Sequence, residues 1–156
     1  MNKRLKKITV FTACFISALI LIYPLFEISG SQANTKSGSN DVQILARAVN
    51  GEARGEPYEG QVAVAAVILN RVRHSSFPNT IAGVIYQPGA FTAVSDGQIN
   101  VPIDPNSTVY KACQDAMNGW DPSGGAIYYY NPATATNKWI RSRPIVKSIG
   151  RHVFCK

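Results

Sequence analysis

The chain has 156 residues and a formal net charge of +7, and 46% of its residues are hydrophobic. This composition excludes a disordered protein and is sufficient for one small folded domain. After Ala33 the charge falls to +4, from 12 basic against 8 acidic side chains, and the basic residues are dispersed along the chain. The charge therefore indicates only a polyanionic environment, which a nucleic acid and an anionic cell wall both provide.

Residues 1–33 have the features of an export segment. A basic start, MNKRLKK, precedes the uncharged stretch from Ile8 to Phe26. Pro24 and the small residues at Ser31-Gln32-Ala33 favour a cleaved signal peptide, and a retained N-terminal membrane anchor is the alternative. In both cases the remaining chain is expected outside the membrane, which favours a cell wall over nucleic acid as the polyanion.

Residues 34–40 are predicted to be a flexible linker, because this stretch is composed mainly of Asn, Ser, Gly and Thr. The folded domain is expected over residues 41–156. Its first element is an amphipathic helix that ends near Gly55 and Pro57. One face of this helix is marked by residues at spacings of three and four: Val42, Leu45, Ala48, Val49 and Glu52.

Three more helices are predicted, and a long irregular segment separates the last two. Gly60 to His74 is apolar nearly all round, which indicates a buried central helix. Asn79 is expected to cap a short helix that runs through Tyr86. The glycines and prolines from Gln87 to Asn106 indicate a long loop of the kind that often carries function. Ser107 is expected to cap a helix that extends to Asn118.

The C-terminal part of the chain is predicted to form strands. Ala126 to Tyr130 and His152 to Cys155 are β-prone segments, and Trp139 to Arg141 is a candidate third strand. Helices that precede a short antiparallel sheet in the C-terminal half define an α+β fold.

The cysteines give no disulfide framework. Cys113 and Cys155 either form one disulfide outside the cell or remain two small buried side chains, and two cysteines do not decide between these states. No metal site and no cofactor are predicted, because the potential ligands show no short ligand spacing: His74, His152, Cys113 and Cys155.

Glu52 is the residue best placed for chemistry. Helical spacing puts its carboxyl group on the apolar face with Ala48 and Val49, where the helix ends. Partial desolvation at such a position favours the protonated acid and suits proton donation near neutral pH. The alternative is a structural salt bridge with Arg54 or Arg71.

A series of motifs continues in order from Glu52 to the end of the chain. It comprises Asn50-Gly-Glu52-Ala-Arg54-Gly-Glu56-Pro57, Glu59-Gly-Gln61, Leu69-Asn70-Arg71-Val72, Val84-Ile-Tyr86-Gln87-Pro-Gly-Ala-Phe91, Asn118-Gly-Trp120-Asp121-Pro-Ser-Gly-Gly125, Tyr130-Asn131-Pro132, Ser142-Arg143-Pro144 and His152-Val-Phe154. Together these motifs resemble the spore cortex-lytic (SleB/CwlJ-type) cell-wall hydrolase family over essentially the whole predicted domain.

The resemblance implies a small lysozyme-like catalytic domain that cleaves glycan strands between N-acetylmuramic acid and N-acetylglucosamine. It also implies that Glu52 is the catalytic residue. The reaction is then lytic transglycosylation, which forms an anhydro sugar, or muramidase-type hydrolysis. Hydrolysis by two carboxylates needs a second one at a fixed distance. The other acidic candidates have simpler explanations as helix-end charges or turn formers: Glu56, Glu59, Asp96 and Asp121.

Candidate substrate contacts lie in the long loop and around the first predicted strand. Alternation along that strand points Tyr128 and Tyr130 to one side and Tyr129 to the other. Aromatic faces for sugar stacking are offered by Phe91, Tyr128, Tyr129, Tyr130 and Trp139, of which most are expected in the core and only one or two in contact with glycan. Polar candidates for hydrogen bonds to the substrate are Gln87, Thr92 and Asn131.

We therefore expect an exported protein of the cell wall or spore envelope whose partner is peptidoglycan. No nucleic-acid partner is expected, and membrane contact is expected only through an uncleaved N-terminal segment. Two alternatives stay open: an amidase that cuts between sugar and peptide, and a non-catalytic wall-binding or spore-assembly protein. The oligomeric state and the choice between germination, sporulation and vegetative growth do not follow from the sequence.

Overall fold

The computed structural model describes the chain from Ile28 to Lys156. Most of the predicted export segment, residues 1–27, therefore lies outside the described residues. From Ile28 onward, no helix has both the length and the apolar character that a bilayer crossing requires.

Helix α1 spans Ile28–Ala53 and differs from the prediction at its start. Residues 34–40, predicted as a flexible linker, are helical. Ser and Gly lower helix propensity, but this stretch contains no proline that would block the helix. Nucleation is the costly step of helix formation. Because the C-terminal half of α1 is already helical and packed, adding residues at its N-terminal end costs only their weak helix propensity. The C-terminal half of α1 is amphipathic as predicted, because Leu45, Ala48 and Val49 are fully buried.

Helix α2, Tyr58–Arg73, is the central helix of the compact unit formed by residues 40–156. Every residue from Gly60 to Leu69 is buried, which confirms the prediction of a helix that is apolar all round. It becomes accessible at Asn70 and Arg71, near its C-terminal end. The C-terminal end of this buried helix thus reaches the protein surface, where Asn70 and Arg71 are accessible.

Three further helices and a 3₁₀ turn follow α2, and two of these helices pack on it. Helix α3 spans Ile81–Ile85 and is capped by the side chain of Thr80 rather than by Asn79 as predicted. The long loop contains helix α4, Thr92–Ser95, and a 3₁₀ turn at Gln98–Asn100. Helix α5, Thr108–Met117, packs along α2 and is capped by Ser107 as predicted.

The C-terminal part forms a three-stranded antiparallel sheet of β1 (Tyr128–Tyr130), β2 (Ile145–Ile149) and β3 (His152–Cys155). The strand order is β1-β3-β2, so the last strand of the chain is the central one. The prediction of a strand over 139–141 is wrong, because Lys138–Arg141 forms helix α6, whose first turn is capped by the Asn137 side chain. The α+β order, helices first and sheet last, is confirmed.

Gly150 makes the tight connection between β2 and β3. Its φ is 55°, in the left-handed region that favours glycine. A Cβ atom at this position would also collide with the carboxylate of Glu56 and the ring of Pro57. The β2–β3 turn therefore lies directly against the end of α1. Both described cysteines, Cys113 and Cys155, are buried free thiols.

Candidate active site

A cleft of about 370 Å³ opens where the end of α1, the end of α2 and strand β1 meet. Its lining combines charged, hydroxyl, amide and imidazole groups, which suits a polar substrate. The lining residues are Glu52, Arg71, Ala90, Tyr129, Tyr130, Asn131, Thr134 and His152.

Two hydrogen bonds hold the carboxyl group of Glu52 at the cleft. The backbone N–H of Thr92 donates to Oε1 at 2.9 Å, and the hydroxyl of Tyr129 donates to Oε2 at 3.2 Å. Within the described part of the chain Glu52 forms no ion pair, and Arg54 instead donates to the side chain of Gln98. The structural salt bridge considered as an alternative is therefore not formed, and the carboxyl group is fixed by neutral donors.

Tyr129 is packed between Glu52 and β3. Its ring centroid lies 5.1 Å from that of His152 and 6.1 Å from that of Phe154. Burial, reinforced by the nearby charge of Glu52, raises the pKa of Tyr129 well above its ordinary value of 10. The phenol therefore stays protonated across the working pH range, and its hydroxyl can donate or accept a hydrogen bond.

Arg71 brings a cation into the same cleft. Its Nε donates to the carbonyl oxygen of Ile127 at 2.7 Å, and its guanidinium lies 5.4 to 5.6 Å from the ring centroids of Phe77, Phe91 and Tyr128. Burial lowers the pKa of Arg71, but a guanidinium keeps its charge in proteins. The charge is thus held in a fixed position by aromatic rings and a backbone carbonyl.

His152 forms the third side of the cleft. It is 8% exposed, and its Nδ1 has no hydrogen-bond partner among the described residues. Burial lowers the pKa of His152 below its ordinary value of 6.5, against the opposing influence of Glu56. The imidazole is therefore neutral near pH 7 and adds no fixed positive charge beside Glu52.

The other acidic candidates have structural partners. Glu56 is buried and ion-paired with Arg151, and Glu59 forms an exposed pair with Lys147. Asp96 accepts from the backbone and side chain of Gln98. Asp121 accepts from Asn70, Ser123 and Gly125, which organises the turn before β1. In the region that the structure describes, no three His, Cys, Asp or Glu side chains cluster as metal ligands would.

The predicted substrate contacts divide into two groups. Tyr130 and Asn131 line the cleft with Glu52, and Thr92 contributes its backbone N–H. Four others lie outside the lining: Gln87, Phe91, Tyr128 and Trp139. Gln87 is half-buried in the loop, and Trp139 is 51% exposed and packs on Tyr128. Phe91 is only 3% exposed, so its ring supports Arg71 from the core and has no free face for a sugar.

Four lining residues were absent from the predicted contacts: Arg71, Ala90, Thr134 and His152. Tyr129 was predicted only as a stacking face and not as the hydrogen-bond partner of Glu52. Arg71 is the first charged residue after the buried run of α2. His152 is the one titratable side chain in the otherwise apolar start of β3, His-Val-Phe. Alternation separated Tyr129 from its neighbours, yet it could not show which face of the strand meets Glu52. Each side chain is brought to the cleft by contacts between distant parts of the chain.

A second depression of about 330 Å³ adjoins the cleft and shares Asn131 and His152 with it. Its lining is more apolar and comes from the turn after β1 and from the β2–β3 hairpin. The remaining lining residues are Pro132, Ala133, Ser148, Gly150, Arg151 and Val153. Through these two shared residues, the second depression widens the surface that adjoins the Glu52 cleft.

Comparison with known proteins identifies the family. Residues 55–155 match the family model described as Cell Wall Hydrolase, and Glu52 lies just before the matched range. Spore cortex-lytic enzymes of Bacillus cereus and Bacillus subtilis (strain 168) are 61% and 60% identical over 81% and 80% of this chain. The chain covers 48% and 41% of those relatives, so it spans about half of their length or less. Cell wall hydrolase CwlJ of Bacillus subtilis is 30% identical, with 78% of this chain and 89% of the relative covered.

Two solved structures share the fold. The catalytic domain of the Bacillus cereus SleB protein superposes with a TM-score of 0.71 at 65% identity, covering 76% of this chain and 91% of that one. The catalytic domain of the germination-specific lytic transglycosylase SleB from Bacillus anthracis also has a TM-score of 0.71, at 66% identity, covering 75% and 94%. The resemblance found in the sequence is thereby confirmed, and the chain belongs to the cell wall hydrolase family.

Proposed function

We propose that this domain cleaves peptidoglycan glycan strands by lytic transglycosylation, between N-acetylmuramic acid and N-acetylglucosamine, with Glu52 as both acid and base. One observation carries the proposal. Among the described residues that line the cleft, Glu52 is the only one with an acidic side chain, and both its oxygens are held by donors that carry no charge. Transglycosylation needs one such carboxyl group, whereas two-carboxylate hydrolysis needs a second.

The reaction has two proton transfers. Protonated Glu52 gives its proton to the glycosidic oxygen as the bond from that oxygen to the muramic acid C1 breaks. The 6-hydroxyl of the same sugar then attacks C1, and its proton passes to the Glu52 carboxylate. The new C1–O6 bond closes the anhydro ring, and Glu52 returns to its protonated state. No water molecule is consumed.

Tyr129 allows Glu52 to serve in both steps. A phenol hydroxyl can donate to the carboxylate and can rotate to accept from the protonated acid. The Thr92 N–H meanwhile keeps Oε1 in place. The carboxyl group can therefore change its protonation state with little movement, which is the preorganisation that acid–base catalysis requires.

The substrate and the location follow from the surface and from the relatives. Tyr130 and Asn131 lie beside Glu52, and the neighbouring depression extends the surface for further sugar units. The curated relatives are named spore cortex-lytic enzymes, which supports cortex or cell-wall peptidoglycan as the substrate. We propose that residues 1–33 export the domain to that location.

The test is mass spectrometry of the fragments released from purified cortex and vegetative peptidoglycan. Transglycosylation gives muramic acid ends lighter by one water than those from hydrolysis. Reducing ends of full mass would show a muramidase, and free stem peptides would show the amidase. No release from either substrate would favour a non-catalytic wall-binding protein.

Glu52→Gln tests the residue itself. Positioned acid catalysis contributes on the order of 10² to 10⁴ in rate, so lysis should fall by at least that factor while the isosteric amide preserves the fold. Glu59→Gln is the matched control, since it removes an exposed carboxylate at the start of the next helix. Wild-type lysis by folded Glu52→Gln would contradict the assignment.

A further inference from the structure

Arg71 is anchored in a way that leaves its outer nitrogens unused. The Nε–H is bound to the carbonyl oxygen of Ile127, and three aromatic rings surround the guanidinium plane. Packing of this kind fixes the side chain in one orientation before any ligand arrives, so little entropy is lost when a ligand binds.

The two Nη groups belong to a residue that lines the cleft. Neither has a protein acceptor within hydrogen-bond distance among residues 38–156, and neither is sealed from solvent. Arg71 also forms no ion pair with Glu52, although both side chains line the same cleft. A reacting sugar would therefore lie between the Glu52 carboxyl group and the Arg71 guanidinium.

The chemistry of a guanidinium limits which groups of a ligand Arg71 can bind well. Its N–H groups form a planar fork that matches the lone pairs of an sp² oxygen, such as a carbonyl or carboxylate oxygen, better than those of a sugar hydroxyl. In the proposed substrate, such oxygens lie on the acyl substituents of the muramic acid residue. These substituents are the N-acetyl group at C2 and the lactyl group at C3, both on the ring whose C1 reacts.

We propose that Arg71 is a substrate-binding residue that donates its Nη–H groups to an acyl oxygen of the sugar whose glycosidic bond is cleaved. This inference rests on the proposed function for the identity of the sugar. The contact would hold the ring across the cleft from Glu52, so that the glycosidic oxygen lies next to the acid. It would also favour acylated sugars over plain hexoses.

Binding measurements in the Glu52→Gln background test the contact without turnover. The probes are a tetrasaccharide of alternating N-acetylglucosamine and N-acetylmuramic acid, and a tetrasaccharide of N-acetylglucosamine alone. Arg71→Lys keeps the charge but loses the fork, and should raise the Kd of the muramic acid probe about ten- to hundredfold by calorimetry. An equal loss with both probes would assign the N-acetyl oxygen, and a loss with the muramic acid probe alone would assign the lactyl oxygen.

Arg143→Lys is the matched control. Arg143 also packs on the Tyr128 ring, at 5.7 Å, and its Nε also donates to a backbone carbonyl oxygen, that of Lys156, but it lies outside the cleft lining. Its substitution should leave both Kd values unchanged. Equal losses in the two variants would trace the effect to the aromatic packing and overturn the contact.

Nitrogen NMR of the unaltered Arg71 side chain gives a second readout that does not depend on the folding of Arg71→Lys. Addition of the muramic acid probe should shift and sharpen the Arg71 guanidinium resonances and leave those of Arg143 in place. Unshifted Arg71 resonances, or no binding of either probe, would overturn the inference. Failure of the proposed function would give a different result. The probe would still bind through Arg71, but peptidoglycan would yield no anhydro product.

Discussion

Two carboxylates at the end of α1 have opposite surroundings. Glu52, in the last turn of the helix, is half-buried at the cleft and is held by the Thr92 N–H and the Tyr129 hydroxyl. Glu56, just past the helix, is buried and accepts from both the backbone N–H and the Nε of Arg151. A permanent countercharge fixes one carboxylate in the ionised state, whereas the other is held by donors that carry no charge.

The surroundings of Glu56 also shift its pKa. Burial alone would raise the pKa of Glu56, but the hydrogen bonds and charge of Arg151 outweigh it and lower the pKa below its ordinary value of 4.5. This carboxylate is therefore unsuited to donating a proton near neutral pH. It joins the β2–β3 hairpin to the end of α1, which makes it a structural counterpart of the proposed catalytic residue.

After Glu52→Gln, the largest effect on activity is expected when the Glu52 carboxylate is kept but moved. Glu52→Asp shortens the side chain by one methylene, so the carboxyl group can no longer reach both the Thr92 N–H and the Tyr129 hydroxyl. A displacement of this size costs on the order of 10² in rate. Initial rates of turbidity loss on cortex fragments measure it. Activity within twofold of wild type would show that the position of the carboxyl group is not critical.

Glu56→Gln should act on stability and not on chemistry. The amide cannot accept two charge-assisted hydrogen bonds from Arg151, so we expect a loss of about 2 kcal/mol in the free energy of unfolding. Because the folded pKa of Glu56 is lowered, its contribution is full above pH 4.5 and is lost as the pH falls through the folded value. The difference between wild type and variant should therefore shrink in acid, as urea unfolding at several pH values would show. A difference that is constant with pH would contradict this origin.

Tyr129→Phe should have a smaller effect on activity. The ring and its edge contact with His152 are retained, and only the hydroxyl bound to Glu52 is lost. One neutral hydrogen bond contributes about 0.5–1.5 kcal/mol, so turnover should fall about two- to tenfold. The melting temperature serves as the control, since it should change little. Unchanged turnover would mean that Thr92 alone positions the acid.

Glu59→Gln should have the smallest effect of the series. Its ion pair with Lys147 is 2.9 Å long, but both side chains are about half exposed. Exposed pairs of this kind contribute at most about 1 kcal/mol, and they are screened by salt. Thermal unfolding at low and high salt should detect little difference from wild type. A loss comparable to that of Glu56→Gln would show that exposure does not separate these two ion pairs.

Local patterns predicted the helices because their causes are local. Spacing in the sequence identified the buried face of α1 and the fully buried α2, and Ser107 capped α5 as expected. The sheet was harder to predict from the sequence. Asn137 caps a short helix where a strand was expected, and β2 was missed because only Ile149 of its five residues is buried. An exposed edge strand has no alternation of burial for the sequence to reveal.

The candidate site was predicted only in part for a related reason. Glu52 could be proposed from the sequence because its helical face and its motif are local, and the structure places it in the cleft lining. Arg71, Tyr129 and His152 reach the cleft through contacts among α2, β1 and β3, and a pattern within one segment cannot show which face of a strand meets a distant helix. Alternation separated Tyr129 from its neighbours, but the choice of face needed the tertiary structure.

The central place of β3 sets the order in which the cleft can be completed. Within the sheet that the structure describes, strands β1 and β2 pair only with β3, so neither has a partner there before residues 152–155 are available. The same strand supplies His152 and backs the ring of Tyr129. A chain growing on the ribosome would contain its helices and Glu52 before this strand is made. The support for the acid therefore arrives last, and a chain that lacks the final strand has a glutamate but no finished cleft.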